Sequence, residues 1–316
     1  MLNILADGKF HSGEVLAGRL GVSRASVFNA LADVAENGVA LQRIRGRGYR
    51  LAHPWQRLER EEVLRWLGQD AAQFDIGILP QAASSNTLLL QRAGQAAASG
   101  SVLAVELQTA GRGRMGRTWR SGLGSTLTFS LLWRFECGLN ALSGLSLAVG
   151  VAIARALSGL GAQDVRLKWP NDILTGQGKL GGVLIEAQGD MLGPSAVVIG
   201  IGLNCSLPDN LAGRIDQPAG ALDEICRDMP TRNRLLAAVL QELAGALRQF
   251  AQSGFAAFGG EWERYHIHQN QPVQLRLADG SVVTGIARGV SDRGELRLET
   301  AQGMRQFNSG ETERSR

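Results

Sequence analysis

The first apolar pattern of the chain is typical of two short helices that are separated by a glycine. Ser12 is a candidate N-cap for the first helix, Ser23 begins the second, and Gly21 turns the chain between them. The apolar residues predicted to face inward are Val15, Leu16 and Leu20 in the first helix and Val27, Ala30, Leu31 and Val34 in the second. This spacing predicts a helix-turn-helix.

A basic hairpin is predicted directly after these helices. In the segment VALQRIRGRGYRL (39–51), apolar and basic residues alternate, and Gly46 and Gly48 permit a tight turn before Tyr49. A charged helical stretch within 52–75 then links this unit to the rest of the chain. The N-terminal part is therefore predicted to be a winged helix-turn-helix.

From Ile76 the pattern becomes that of a mixed α/β body. Apolar, β-rich runs at 102–108, 125–133 and 197–204 alternate with Ala/Leu-rich helical stretches at 142–161 and 232–250. From about Gln271, short strands separated by Asp-Gly, Asp-Arg-Gly and Gln-Gly turns predict a small β-barrel cap. The fold class is α+β, and the predicted domains are 1–60, 61–268 and 269–316.

The charge distribution indicates what kind of partner the N-terminal unit binds. The net charge is +4, and residues 1–60 alone hold nine Lys/Arg against five Asp/Glu, so the whole surplus lies in the N-terminal unit. A small basic unit on a neutral body favours an anionic partner, and we expect DNA. The residues predicted to contact it are Arg24, Ser26 and Asn29 in the major groove, with Arg45 and Arg47 reaching phosphates or the minor groove. The alternative is a winged-helix packing module whose basic face is only solvated.

Composition excludes several classes of protein. The three cysteines form no C-x-x-C pair, so neither a zinc site nor a disulfide framework is indicated. The N-terminal segment lacks the basic region of a signal peptide, and no uncharged apolar stretch of about 20 residues is present. We expect a cytoplasmic protein without a membrane partner.

The stretch GRGRMGRTW (111–119) has the G-x-G-x-x-G spacing of a dinucleotide-binding loop. The continuation RTWRSGLGSTLTFSLLW (117–133) predicts a turn and a strand, whereas that loop requires a helix to hold the pyrophosphate. A Rossmann site is therefore excluded. The three interleaved arginines instead favour a loop that neutralises phosphate charge through bidentate guanidinium contacts and closes around a bound polyanion.

Four motifs in order resemble those of biotin protein ligases: GRGRMGRTW, KWPNDIL (168–174), GKLGGVLIE (178–186) and GIGLN (200–204). With the winged helix, the chain is similar to the bifunctional members that also repress the biotin operon. The resemblance implies a ligase domain of the biotin/lipoate ligase type and an SH3-like cap. It also implies a two-step reaction, in which biotin and MgATP give biotinyl-5′-AMP and biotin then passes to a lysine of the biotin carboxyl carrier protein of acetyl-CoA carboxylase. Operator DNA and a homodimer that forms when biotinyl-AMP is bound are the other implied partners.

The resemblance also assigns roles to individual residues. The expected catalytic residues are Lys179, Arg112, Arg114 and Asp172. The expected biotin-binding residues are Ser84, Ser85, Asn86, Gln108, Gly111, Arg112, Gly113, Arg114, Lys179 and Gly182. The expected ATP and adenylate contacts are Arg114, Arg117, Trp119, Lys168, Asn171, Lys179 and Asn204, with the loop 206–224 near the adenine. Asp172 either holds Mg²⁺ or orients the incoming amine, and Asn171 and Asn204 also suit purely structural roles.

The chain departs from the family pattern in two places. In ASSNT (83–87), Ala83 stands where the family has Asp and Ser85 where it has Thr. The chain ends SGETERSR where relatives continue with an apolar strand and an arginine, so we expect a less complete cap and assign no ATP contact to Arg314 or Arg316. Two alternative functions remain open, namely a lipoate or octanoate ligase of the same fold and a non-catalytic regulator that senses biotin.

Overall fold

The fold is that of a computed structural model, in which residues 1–36, 39–52 and 56–314 are described, so Arg316 lies outside the described residues. The N-terminal part has three helices and one hairpin. In chain order they are α1 (Leu2–Leu5), α2 (Gly13–Leu20), α3 (Arg24–Glu36), β1 (Leu41–Ile44) and β2 (Gly48–Leu51). The hydroxyl of Ser12 accepts from the backbone N–H of Val15, and Gly21 ends α2 with a φ of 64°. The predicted helix-turn-helix and wing are therefore confirmed.

The inward face of α2 is narrower than predicted. Leu16 and Ala17 are buried in it, whereas Val15 and Leu20 are 45% and 37% exposed. An eight-residue helix turns only about twice, so one short apolar stripe is enough to pack it against its neighbours.

A seven-stranded sheet forms the middle of the chain. Its strands run β3-β4-β7-β11-β10-β9-β8, and all neighbours are antiparallel except β3 and β4. The strands are β3 (Asp75–Ala82), β4 (Ser101–Gln108), β7 (Thr126–Phe135), β8 (Arg166–Lys168), β9 (Asp172–Thr175), β10 (Gly178–Gly189) and β11 (Ser195–Asn204), and a separate two-stranded hairpin is formed by β5 (Gly111–Arg112) and β6 (Thr118–Trp119). The three predicted strands are β4, β7 and β11.

Helices cover both faces of this sheet. They are α4 (Arg60–Leu67), α5 (Ser85–Gly94), α6 (Leu145–Gly159), α8 (Arg232–Ser253) and α9 (Gly259–Tyr265). The short helix α7 (Asp209–Ala212) lies in the segment after β11. In β4, Val102 and Ala104 point into the core shared with α6 and α8, whereas Leu103 and Val105 pack with Leu89 of α5. A strand that is covered on both sides is continuously apolar, which is why β4 lacks the alternation of a surface strand.

The C-terminal part is a small antiparallel sheet in the order β15-β14-β13-β12-β16. Its strands are β12 (Pro272–Arg276), β13 (Val282–Val290), β14 (Leu296–Thr300), β15 (Gly303–Phe307) and β16 (Glu311–Arg314). The polar ending of the chain supplies the last of these strands, β16. Backbone pairing with β12, from Glu311 to Arg314, does not require apolar side chains.

A buried ion pair holds the segment that joins the winged helix to the sheet. Arg232, the first residue of α8, donates to Glu106 of β4 at 2.7 Å and to the carbonyl of Gln56 at 2.5 Å. The other carboxylate oxygen of Glu106 accepts from the N–H of Leu58 at 2.6 Å. Both charged side chains are 5% exposed.

The residue after Glu106 contacts the winged helix. Leu107 packs with Leu5, Leu16 and other core residues of the N-terminal part, as does Leu123. In the described part of the chain, no helix is both long enough and apolar enough to cross a membrane.

Candidate active site

A cavity of about 650 Å³ lies against the central sheet, with lining residues from β7, β11, β10 and β9, and it contains nearly all of the predicted site residues. The residues expected to bind biotin or ATP that line it are Ser84, Ser85, Asn86, Gln108, Arg112, Gly113, Arg114, Arg117, Trp119, Lys168, Asn171, Asp172, Lys179, Gly182 and Asn204. Gly111 is the exception. It pairs with Trp119 in the hairpin, where a Cβ atom would stand 2.7 Å from the carbonyl oxygen of Trp119.

One end of the cavity is a chain of neutral polar groups. Gln108 Oε1 accepts from the backbone N–H of Ser85 at 2.7 Å and lies 3.2 Å from its hydroxyl. Ser130 of β7 continues the chain, with its Oγ 2.7 Å from Ser85 Oγ and 2.5 Å from Asn86 Oδ1. Because Gln108 Oε1 is engaged by Ser85, the amide nitrogen of Gln108 is the group it can offer to a ligand.

The carboxylate of Glu186 lies next to this polar end of the cavity. Glu186 of β10 accepts from Asn86 Nδ2 at 2.9 Å and from Arg112 Nη2 at 2.8 Å. The same guanidinium nitrogen lies 3.2 Å from the hydroxyl of Thr87. Arg112, expected to contact biotin, is therefore linked through Glu186 to a residue of the polar end.

The predicted arginine loop is the hairpin of β5 and β6. Met115 and Gly116 both have positive φ at its tip, and the N–H of Gly113 donates to the carbonyl of Arg117 at 2.7 Å. Its side chains project in different directions, since Arg117 pairs with Glu311 of β16 whereas Arg112 pairs with Glu186. The loop leads into β6 and then β7 rather than into a helix, as predicted.

Among the described residues, Arg114 has only a neutral hydrogen-bond partner. Its Nη1 donates to Asn171 Oδ1 at 3.3 Å. Burial lowers the pKa of the Arg114 guanidinium from its ordinary value, and the charges of Asp172 and Glu311 partly offset that effect. Asn171 also donates from Nδ2 to the carbonyl of Val183 at 2.8 Å. Asn171 thus holds Arg114 and ties its own turn to β10.

Lys179 is fixed at the centre of the cavity wall. Its Nζ lies 2.7 Å from Asp172 Oδ1, and both side chains are mostly buried. The backbone N–H of Lys179 donates to the carbonyl of Pro218 at 2.9 Å. The loop 206–224 therefore lies beside Lys179.

Asn204 has a structural role and an unused acceptor. Its Nδ2 donates to the carbonyls of Lys179 and Gly220 at 3.2 and 3.1 Å, so it joins β10 to the loop 206–224. Its Oδ1 is buried without a hydrogen-bond partner in the described residues. An orphaned buried acceptor beside a binding cavity suits a ligand donor or a cation.

The donor set fits a Mg²⁺ ion that arrives with phosphates. Asp172 and Asn204 supply oxygen atoms, which are the ligands that Mg²⁺ prefers. Across the part of the chain that the structure describes, no three His, Cys, Asp or Glu side chains are grouped to hold a metal. Because the protein supplies so few oxygen ligands, the remaining ligands of the ion would come from ATP and water.

The KWPND motif connects the cavity to the cap. The indole nitrogen of Trp169 donates to the carbonyl of Gly294 at 3.0 Å, and its own carbonyl accepts from Thr312 Oγ1 at 3.2 Å. Glu311, Thr312 and Glu313 of β16 consequently line the cavity.

Sequence reasoning missed this cap strand and Ser130, and it gave Glu186 no role of its own beyond the strand 183–186 that was expected to form one wall of the pocket. Only Glu186 carried a signal, because it ends the motif GKLGGVLIE.

The predicted DNA-contacting residues lie on the surface of the winged helix. Arg24, Ser26 and Asn29 are exposed on α3, and Arg45 is exposed at the wing tip. Arg47 is exposed as well, with its guanidinium 4.5 Å from the ring centroid of Phe10. The Ser26 hydroxyl lies 2.9 Å from that of Ser23, which caps α3.

Comparison with known proteins gives matches along the whole chain. Residues 79–204 match the Biotin/lipoate A/B protein ligase family, residues 268–313 the Biotin protein ligase C terminal domain, and residues 1–50 an HTH domain. The Bifunctional ligase/repressor BirA of Escherichia coli (strain K12) is 37% identical over 311 residues, a match that covers 98% of this chain and 95% of that protein. The chain belongs to the biotin protein ligase family.

Other biotin protein ligases match about three quarters of the chain. The Biotin--[acetyl-CoA-carboxylase] ligase of Mycobacterium tuberculosis is 32% identical over 238 residues, covering 74% of this chain and 86% of that protein. The solved structure of the biotin protein ligase from Aquifex aeolicus in complex with biotin and ATP has a TM-score of 0.64 and 29% identity, covering 76% of this chain and 99% of that one. The expected fold class is confirmed, with an N-terminal helix-turn-helix, a central biotin protein ligase fold and a C-terminal small antiparallel sheet.

Proposed function

We propose that this chain activates biotin with MgATP to biotinyl-5′-AMP, transfers the biotin to a lysine of biotin carboxyl carrier protein, and represses transcription when biotin is available. The observation that carries the ligase activity is the cavity itself. It joins a neutral polar end, which suits the ureido ring of biotin, to a cluster of cationic side chains around Lys179 that suits phosphates.

The polar end distinguishes biotin from lipoate. Gln108 offers N–H groups and Asn86 offers an acceptor, so together they complement a carbonyl flanked by N–H groups. Lipoate and octanoate lack such a group and would leave these polar atoms without partners, which costs binding free energy. A lipoate ligase is the weaker alternative for this reason.

In the first step, a carboxylate oxygen of biotin attacks the α-phosphorus of ATP, and pyrophosphate leaves. Lys179 and Arg114 offset the charge that accumulates between these anions, and Asn171 holds Arg114 in place. Asp172 and Asn204, together with phosphate oxygens, would hold a Mg²⁺ ion, which would supply further charge neutralisation. In the second step, the neutral amine of the acceptor lysine attacks the acyl carbon, and AMP leaves.

The remaining predicted residues keep their assignments within this proposal. Ser84, Ser85 and Gly113 belong to the biotin end, whereas Arg117, Trp119, Lys168 and Asn204 belong to the adenylate end, as does the loop 206–224. Ion pairs with Glu186 and Glu311 hold Arg112 and Arg117. Gly111 acts indirectly, by allowing the hairpin to close against Trp119.

The mass of the product tests the ligase. A biotin carboxyl carrier domain is incubated with this protein, MgATP and either biotin or lipoate, and its intact mass is measured. We expect a gain equal to one biotinyl group that disappears when the acceptor lysine is replaced by arginine. A gain with lipoate alone would establish the lipoate ligase instead, and no gain with either acid would favour the non-catalytic regulator.

The proposed repressor activity rests on the winged helix. Arg24, Asn29 and Arg45 are exposed on the recognition helix and wing, in a unit that carries the whole positive surplus of the chain. We further propose that biotinyl-AMP promotes a homodimer that binds operator DNA, that the protein works in the cytoplasm, and that the domains are 1–60, 61–268 and 269–316.

DNA binding is tested by selecting duplexes from a random-sequence pool with biotin and ATP present. The selected duplex is expected to bind more weakly without biotin, and Arg45→Ala is expected to lower the salt slope of binding by about 1, as for the loss of one phosphate contact. Arg288→Ala, in the cap, is the control with an unchanged slope. Equal affinity with and without biotin would remove the proposed regulation.

A further inference from the structure

Glu186 is a carboxylate that lies outside the cavity lining but contacts two residues within it. Asn86 Nδ2 donates to it at 2.9 Å, and Arg112 Nη2 donates to it at 2.8 Å. Asn86 is 4% exposed, so this hydrogen bond is shielded from solvent on the side of the amide. A contact of this kind constrains a binding residue without touching the ligand.

The carboxylate dictates which way the Asn86 amide faces. An ionised carboxylate only accepts hydrogen bonds, so the amide nitrogen, and never the amide oxygen, can face Glu186. The second N–H of Asn86 is 3.3 Å from the carbonyl of Leu184. Both hydrogens of the amide are therefore engaged by β10, and the group can offer a ligand only its oxygen.

The other side of the amide is fixed as well. Asn86 Oδ1 lies 2.5 Å from Ser130 Oγ, which leaves it one free lone pair. The side chain lies against Gly200 of β11, where a Cβ atom would stand 2.2 Å from Oδ1. Close packing on a glycine leaves the amide little freedom to shift.

We propose that Glu186 is a specificity-determining positioning residue, which holds Asn86 so that the polar end of the cavity presents an acceptor to a ureido N–H. Without Glu186, the amide loses the shorter of the two hydrogen bonds that orient its nitrogen and keeps only the 3.3 Å contact with the carbonyl of Leu184. The amide can then rotate to present N–H groups, which would oppose the donors of the ligand. This inference rests on the proposed function, because it concerns the recognition of biotin.

Calorimetric titration of biotin into the full-length protein and its Glu186 variants tests the proposal. Glu186→Ala is expected to weaken biotin binding at least about tenfold, the usual effect of leaving a buried polar group without its partner. Glu186→Gln retains an oxygen that accepts from Asn86 Nδ2, so its dissociation constant is expected within about threefold of the unsubstituted protein. Binding of ATP alone is expected to change less than about twofold in both variants, because the Asn86 amide recognises the ring of biotin.

Glu299→Ala is the matched control, since Glu299 also pairs with an arginine, Arg288, but on the C-terminal sheet. Unchanged biotin affinity in Glu186→Ala would overturn the proposal, as would an equal loss in the Ala and Gln variants, which would indicate a charge effect on Arg112. Parallel losses for biotin and ATP would indicate general damage to the site and would also overturn it. If the unsubstituted protein binds no biotin, the proposed function itself is wrong.

Discussion

Replacing Lys179 by alanine is expected to slow formation of biotinyl-AMP by about 10² to 10³-fold, the cost of removing one preorganised positive donor from a transition state that accumulates negative charge. Lys179 is suited to this role because its Nζ is held 2.7 Å from Asp172 and its backbone is anchored at Pro218 and Gly220. The measurement is a single-turnover assay of adenylate formation with biotin and MgATP in excess over their dissociation constants.

The chain offers a natural control, since it has only three lysines. Lys9→Ala changes an exposed lysine in the winged helix and is expected to leave the rate of adenylate formation unchanged. Lys179→Ala is expected to remain folded, because the side chain lines the cavity and is not part of the hydrophobic core. A folded Lys179→Ala protein with a normal rate would exclude Lys179 from the chemistry.

Replacing Arg232 by alanine is expected to lower the free energy of unfolding by about 3–5 kcal/mol, the penalty for leaving a buried charge without its partner. Glu106 would keep the N–H of Leu58 but lose its cationic partner, and the carbonyls of Gln56 and Thr126 would lose a donor. Urea unfolding followed by tryptophan fluorescence measures the effect.

Arg234→Ala, two positions along the same helix, is the matched control. Arg234 is exposed and lies 5.2 Å over the ring of Trp66, a contact whose loss is expected to cost about 1 kcal/mol or less. The pair Glu106→Leu with Arg232→Met is expected to recover most of the loss, because no charge then remains buried. An unfolding midpoint of Arg232→Ala that matches Arg234→Ala would show that the ion pair contributes little.

The sequence predicted the main elements because their patterns are local. The strand run at 102–108 and the helical stretch at 232–250 became β4 and α8, and the turn glycines of the N-terminal part stand where turns were expected. The strand β16 at the C-terminus was harder to predict, because its side chains are mostly polar. It is held by backbone hydrogen bonds to β12, which do not depend on the polarity of the side chains. Val15 and Leu20 were misplaced because periodicity cannot show how much of a short helix is covered.

The candidate site was predictable where motifs concentrate chemistry. Lys179 and Asp172 fell within two of the four family motifs, and the structure brings them into contact. Ser130 of the site could not be found in this way, and neither could Glu106 of the buried ion pair outside it, because their partners are 44 and 126 positions away in the chain. A lone serine or glutamate in a strand has no local feature that reveals a distant partner.

The contacts of Leu107 and Leu123 with the winged helix have a consequence for building smaller enzymes from this chain. Removing residues 1–60 would expose Leu107 and Leu123 on the central domain, close to the hydrogen-bonded pair Gln108 and Ser121. It would also remove the N–H of Leu58, which donates to the carboxylate of Glu106. Exposed apolar side chains of this kind promote association between chains. A soluble single-purpose biotinylating enzyme made by truncation would therefore need polar replacements at both leucines. It would also need the segment 56–59, so the cut would fall before residue 56 rather than after the predicted N-terminal domain 1–60.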